Sequence, residues 1–177
     1  MKEIILHACC APCASYPIQL LIKDNFRPVV FFYNPNIYPF EEYKIRRDEL
    51  EKYCKKVSVD FFEGEYNPDE YYSIIKGFEH EPEKGARCSL CFNLRLYKTA
   101  QFALEKNISC FTTTLSVSPH KNSKQIFKEG KAVEAKTGVE FIEYDFKKHD
   151  GFKISRMIAK ENNMYAQKYC GCEFSIR

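Results

Sequence analysis

The sequence predicts an α/β fold, a three-layer sandwich around a five-stranded, mostly parallel sheet. Three observations point there: five short runs rich in β-branched and aromatic residues, amphipathic stretches of helical period between them, and intervals long enough for crossovers. The length agrees. A chain of 177 residues, 45% of them hydrophobic, buries one substantial core, and no linker or low-complexity tract divides it. One domain, 1–177, is expected.

Ile4-Ile5-Leu6 is the first strand. His7-Ala8-Cys9-Cys10-Ala11-Pro12-Cys13 follows as a strand-to-helix loop, because Pro12, Ser15 and Pro17 signal a turn and then a helix start. In an open α/β sheet such loops lie at the carboxyl ends of the strands, where ligands bind. Tyr16 to Lys23 carries Ile18, Leu21 and Ile22 on one side as the first helix, and Pro28 to Phe32 is the second strand. Tyr33-Asn34-Pro35-Asn36-Ile37-Tyr38-Pro39 continues neither element, since each proline restricts its predecessor and lacks a donor; an ordered loop is expected.

From Glu41 to Lys56 the positions Tyr43, Leu50, Tyr53, Cys54 and Val57 recur at helical spacing, with acids early and lysines late as the helix dipole prefers. Val57 to Glu63 is the third strand, and Asn67-Pro68-Asp69 caps a short helix through Ile75. The polar segment from Lys76 to Arg87 is expected to wrap back toward the first loop. Phe92, Leu96, Ala100, Ala103 and Leu104 then mark a helix with Cys91 in its first turn. Ile108 to Leu115 is the fourth strand, 123–136 a lysine-rich helix stopped by Gly138, and Val139 to Tyr144 the fifth strand. Ile154 to Tyr169 is the last helix, followed by a Cys170-Gly171-Cys172 tail.

No stretch approaches the ~20 apolar residues of a membrane span, and the first apolar run is too short for a secretory leader. A soluble, cytoplasmic protein is expected. Nine cysteines are too few for a small secreted disulfide scaffold, and in a reducing compartment clustered thiols serve as ligands more often than as bridges. The net charge of +3 is uneven, with twelve Lys/Arg against eight Asp/Glu in residues 119–177. That bias permits a nucleic-acid partner without demanding one.

Cys10-x2-Cys13 and Cys88-x2-Cys91 resemble paired zinc ligands, but 74 positions separate them, too many for a zinc ribbon. Two thiol groups from separate loops at one sheet end suit a four-thiolate iron–sulfur cluster; zinc and metal-free thiol–disulfide chemistry are the other uses. Cys54 and Cys110 fall on apolar positions and read as core. His7 also reads as core, with a ligand or proton donor as the other reading, and Arg87 either neutralises an anionic centre or is solvated. Cys170 and Cys172 are close enough for a small, strained, labile disulfide, or else are idle thiols or further ligands. Lys121, Lys124, Lys128, Lys131 and Lys136 form either a solvated face or a phosphate-binding one.

Taken together in this order, H-A-C-C-A-P-C, Y-N-P-N-I-Y-P, R-C-S-L-C-F-N-L-R, T-T-T-L-S-V-S-P-H-K and Y-C-G-C resemble the small iron–sulfur epoxyqueuosine reductases, which are unrelated to the cobalamin-dependent enzymes of the same reaction. The resemblance implies a PP-loop/HUP-like Rossmann topology, with cysteines where a phosphate-cradling Ser-Gly-Gly loop would stand, so ATP is not expected. It implies a [4Fe-4S] cluster on Cys9, Cys10, Cys88 and Cys91, and a redox-active disulfide of Cys170 and Cys172. It also implies a further mononuclear iron, for which Asp145 and Cys13 are the candidates. Lys121 and Lys124 are the candidate tRNA contacts.

The reaction implied is the two-electron deoxygenation of an epoxide on a tRNA wobble base, from epoxyqueuosine to queuosine, with electrons from an external donor. A zinc-stabilised RNA-binding module without catalysis is the alternative, and anaerobic colour separates the two.

Overall fold

The computed structural model describes residues 1–176. Its strands are β1 (Lys2–His7), β2 (Phe26–Phe32), β3 (Asp60–Glu63), β4 (Cys110–Thr113) and β5 (Glu140–Phe141). The helices are α1 (Ala11–Lys23), α2 (Phe40–Lys56), α3 (Pro68–Ile75), α4 (Ala86–Glu105), α5 (Ser123–Thr137) and α6 (Gly151–Glu161). The sheet runs in the order β3-β2-β1-β4-β5 and every ladder is parallel. β1 is central, so the loop after it opens where the strand order reverses, the ligand position of open α/β sheets. No helix among the described residues is long and apolar enough to cross a membrane.

Because side chains alternate along a strand, β1 feeds two cores. Ile4 and Leu6 join α1, α2 and α6 through Ile18, Leu50 and Ile158; Ile5 faces α3, α4 and α5 through Ile75, Ala100 and Val133. Helices thus cover both faces, which is the expected three-layer sandwich. Cys54 and Cys110 are fully buried in the first core, as expected.

Several boundaries differ from the sequence reading. α1 begins at Ala11, with Pro12 in its first turn, so Cys13 belongs to the helix and only Cys9 and Cys10 to the loop. The third strand starts three residues late, because Ser58 takes a left-handed φ of 57° and turns the chain. β5 stops at Phe141, since the Ser116 hydroxyl bonds the Tyr144 carbonyl and Phe146 N–H beyond it. The last helix ends at Glu161 rather than Tyr169, closed by Asn163 at φ 50°. α4 starts at Ala86, which puts Cys91 in its second turn rather than its first.

Gly151 opens α6 against the Phe146 carbonyl, where an added Cβ would sit 1.8 Å from that oxygen. Backbone cannot yield as a flexible side chain does. Gly151→Ala is expected to destabilise by about 3 kcal/mol, the upper end of overpacking, read as a lowered urea midpoint; a change under about 0.5 kcal/mol would show that the helix start is free to shift.

Candidate metal centre and adjoining cavity

Cys10 has an extended backbone and caps α1, leaving Cys13 one turn on and folded back toward it. The sulfurs of Cys9, Cys10 and Cys13 all lie within 4.8 Å of one another, and Cys9 and Cys10 Sγ are 3.8 Å apart. Thiol hydrogen bonds from Cys10 and Cys13 hold Cys9 well below the ordinary thiol range, against the opposing effect of burial and with help from Lys121 and Arg95. Burial pushes Cys10 up to about 12, and hydrogen bonding to its two neighbours raises Cys13. Three sulfurs thus gather about the one thiol that is held low, a soft donor set.

Cys88 and Cys91 stand on the first two turns of α4, on the other side of the sheet. Burial raises both, Cys91 to about 11. A hydrogen-bond chain joins this pair to the first loop. Asn34 donates to the Ala8 carbonyl at 2.9 Å and accepts from Arg95 at 2.7 Å, and Arg95 reaches Cys91 Sγ at 3.8 Å. Arg95 also acts electrostatically on Cys9, and Lys121 on Cys9, Cys13, Cys88 and Cys170. The same two cations thus sense thiols from both segments.

Arg95 is 3% exposed, forms no ion pair among the described residues, and its Nε has no partner. With only thiols and an amide oxygen about it, this buried charge is incompletely compensated, and a fully desolvated ion costs several kcal/mol. An anionic thiolate-bound cluster would supply the further counter-charge, so both the donor set and the buried cation fit one. Chelating the metal should reverse the sign of this residue's contribution. Arg95→Met is expected to raise the thermal midpoint of the metal-free protein by about 2–4 °C while lowering the iron it retains; a lower midpoint in both states would make Arg95 an ordinary packing residue.

The tail returns to this region because α2 holds it. Arg46 is 1% exposed, bonds Glu42 at 2.7 Å, and donates to the carbonyls of Cys170 at 2.9 Å and Tyr169 at 3.0 Å. Tyr165 donates to the other Glu42 oxygen, and Tyr38 N–H bonds the Gly171 carbonyl. Gly171 has φ 128°, and a Cβ there would meet Ile37 and Arg46 at 3.0 and 3.1 Å, so the tail needs glycine at that point. Cys170 and Cys172 are free thiols 3.9 Å apart. Hydrogen bonding from Cys172, against burial, holds Cys170 well below the usual thiol range, with Lys121 and Ser175 assisting; Cys172 is raised in turn.

A cavity of about 590 Å³ opens beside these sulfurs, lined by Cys13, Cys170, Lys121, Tyr165, Tyr169 and Phe152. Ser155 Oγ and Gln167 Oε1 belong to lining residues and have no partner, while Gln167 Nε2 is 3.9 Å from Cys13 Sγ.

Other candidates from the sequence find different places. Lys121 lies before α5 and against the thiols rather than on an outer helix face, and Lys124 is exposed in the first turn of α5. Asp145 accepts from Ser123 at 3.1 Å and from Lys147 N–H, and among the described residues it joins no group of three potential ligands. His7 is a core residue whose two ring nitrogens bond Thr113 and the Tyr33 carbonyl; burial, then Arg95, lower its pKa to about 3. Arg87 is buried, donates to the Glu79 and Glu81 carbonyls and lies over the Phe174 ring, pinning the 76–85 segment to the tail. Asn34 and Arg95 lie inside the motifs Y-N-P-N-I-Y-P and R-C-S-L-C-F-N-L-R, which give them no role, and Arg46 and Gln167 lie outside every motif. A polar residue in a loop or on a charged helix carries no sign of burial until the layers assemble.

A parallel 3-2-1-4-5 sheet with three thiols gathered just after its first strand defines a thiol-centred α/β protein. Solved structures share the fold: U34-tRNA thiolase NcsA from Methanococcus maripaludis with its [4Fe-4S] cluster aligns at TM-score 0.56 and 12% identity, covering 99% of this chain and 61% of that one. A predicted subunit of tRNA methyltransferase from Methanocaldococcus jannaschii aligns at 0.59 and 15%, covering 89% and 75%. The chain belongs to the epoxyqueuosine reductase QueH family, whose model matches residues 4–177. Epoxyqueuosine reductase QueH of Acinetobacter baylyi is 36% identical over 176 residues, 99% of this chain and 81% of that protein. The Thermotoga maritima protein of that name is 36% identical over 179 residues, covering 99% and 91%.

Proposed function

We propose that this chain reduces epoxyqueuosine to queuosine in tRNA. Two carbon–oxygen bonds of the epoxide break, a carbon–carbon double bond forms, and the oxygen leaves as water after taking up two electrons and two protons. Family membership over 4–177 supports the reaction. The structural observation that supports it most is the meeting of Cys13 and Cys170, from opposite ends of the chain, on one cavity large enough for a modified base.

In this reading Cys9, Cys10, Cys88 and Cys91 hold a [4Fe-4S] cluster, which supplies electrons singly when bound. Arg95 and Lys121 offset its negative charge. A further iron would find Cys13 as its thiolate, since Asp145 is engaged with Ser123. Cys170 and Cys172, on oxidation to their disulfide, release two electrons and two protons, which matches the demand of the epoxide, and an external reductant restores the thiols. Tyr165, Tyr169 and Phe152 supply aromatic surface for the base, while Ser155 and Gln167 offer unpaired polar atoms to its hydroxyl-bearing ring.

The test is anaerobic incubation of the iron-loaded protein with epoxyqueuosine-containing tRNA and a strong reductant, followed by nucleoside analysis. Queuosine should appear as epoxyqueuosine disappears, one for one. No conversion by fully loaded protein would overturn the reading. A colourless protein with stoichiometric zinc that binds tRNA unchanged would establish the RNA-binding module instead.

A further inference from the structure

We infer that the outer face of α6, rather than the lysine-rich α5, is the surface that carries the RNA strand to the cavity; this rests on the reading of tRNA as the substrate. Lys153, Arg156 and Lys160 stand at i, i+3 and i+7, so they form one stripe about 10 Å long on the helix. All three are exposed, and none has an ion-pair or hydrogen-bond partner among the described residues.

The stripe lines a second cavity of about 510 Å³ that contains no carboxylate. This cavity and the thiol-bearing one share Pro12, Arg156 and Ala166, so they adjoin and together make one grooved surface. Among the described residues that line it, Lys121, Lys153, Arg156, Lys160 and Lys168 stand against the carboxylate of Glu83. The chain as a whole is only +3, so this groove concentrates positive charge well beyond the average. Exposed Phe152 and Met157 lie beside the cations, apolar faces on which bases can rest.

α5 offers less. Lys131 is bound to Glu134 and the Phe141 carbonyl, and Lys136 lies over the Tyr97 ring. Lys124 and Lys128 are exposed but line neither cavity. A strand whose base occupies the thiol-bearing cavity must pass its neighbouring phosphates over the rim, and α6 is the side of that rim on which the second, cation-lined cavity lies.

The experiment measures affinity rather than turnover, so it does not depend on the cluster's chemistry. A fluorescently labelled RNA hairpin with the sequence of the anticodon arm is titrated at several salt concentrations by anisotropy. The triple variant Lys153→Gln, Arg156→Gln, Lys160→Gln should bind about tenfold or more weakly at ~0.1 M salt, and the log-log salt slope should fall by about 2, at roughly 0.7 per lost single-strand phosphate contact. Lys124→Gln with Lys128→Gln should leave both quantities unchanged. If the triple variant binds like the parent, or if the α5 variant is the one that loses slope, the α6 assignment is overturned while the reductase reading survives. If the parent protein binds no RNA at all, the reading of tRNA as substrate falls and the surface with it.

Discussion

Cys88→Ala is expected to abolish iron loading, whereas Cys54→Ala leaves it intact. Both residues are cysteines on amphipathic helices, so the contrast isolates placement from chemistry. Cys54 is fully enclosed in the α1/α2 core, where burial pushes its thiol up to about 12 and keeps it protonated and inert. Cys88 stands in the first turn of α4 under the influence of Lys121 and Arg87, within the electrostatic reach of Cys91 and Cys170. Removing one of four thiolates leaves a cluster with an open iron, and loss of nearly all bound iron and sulfide is the expected readout. The Cys54 variant should lose only about 1 kcal/mol or less of stability to its small cavity. Equal iron in both variants would mean that the grouping of sulfurs is wrong.

Cys170→Ser and Cys172→Ser should each keep their iron and bind tRNA, yet lose most turnover, tenfold or more, when a thiol-based reductant is the electron source. Thiol exchange needs an exposed, low-pKa sulfur, and Cys170 meets both conditions while Cys172 is buried behind it. The pair is held by backbone: Arg46 on the Cys170 carbonyl and Tyr38 on that of Gly171. Serine at either position leaves that anchoring untouched. A strong small-molecule reductant that reaches the metal directly should restore much of the rate. Normal turnover with either reductant would remove the pair from the electron path, and loss of iron would make it a ligand pair.

The architecture was legible because its signals are local. β1 and β2 announce themselves by unbroken Ile, Val and Phe, and α2 by its period. The elements misjudged in length are those whose ends are set by long-range bonds. The Ser116 hydroxyl stops β5 from 25 residues away in sequence, and no window around Glu140 contains that information. The same holds at the site. Cysteine spacing exposes Cys9, Cys10, Cys13, Cys88 and Cys91, since clustered thiols are rare enough to stand out, and only the family resemblance chooses four of the five. Asn34 and Arg95, which tie the two groups together, are chemically ordinary residues made unusual only by burial. Arg46 is hidden more completely, because α2 reads as a solvated helix until the tail folds over it.

The two apolar clusters meet opposite faces of the sheet and share no side chain. At the far end of the strands, ladder bonds, packing and exposed polar pairs such as Tyr144 with Asp24 keep the layers registered. At the near end the sulfurs come from a loop leading into one layer and a helix of the other, so a metal group bound by both fastens the layers like a clasp. With such a group bound, local opening at this end would be governed by coordination bonds beside the Asn34 and Arg95 hydrogen bonds, and at the other by ordinary packing. An oxidant that dismantled the clasp would then not need to unfold the protein to disable it: it would free one mouth of the sandwich to breathe while the sheet beneath stayed whole.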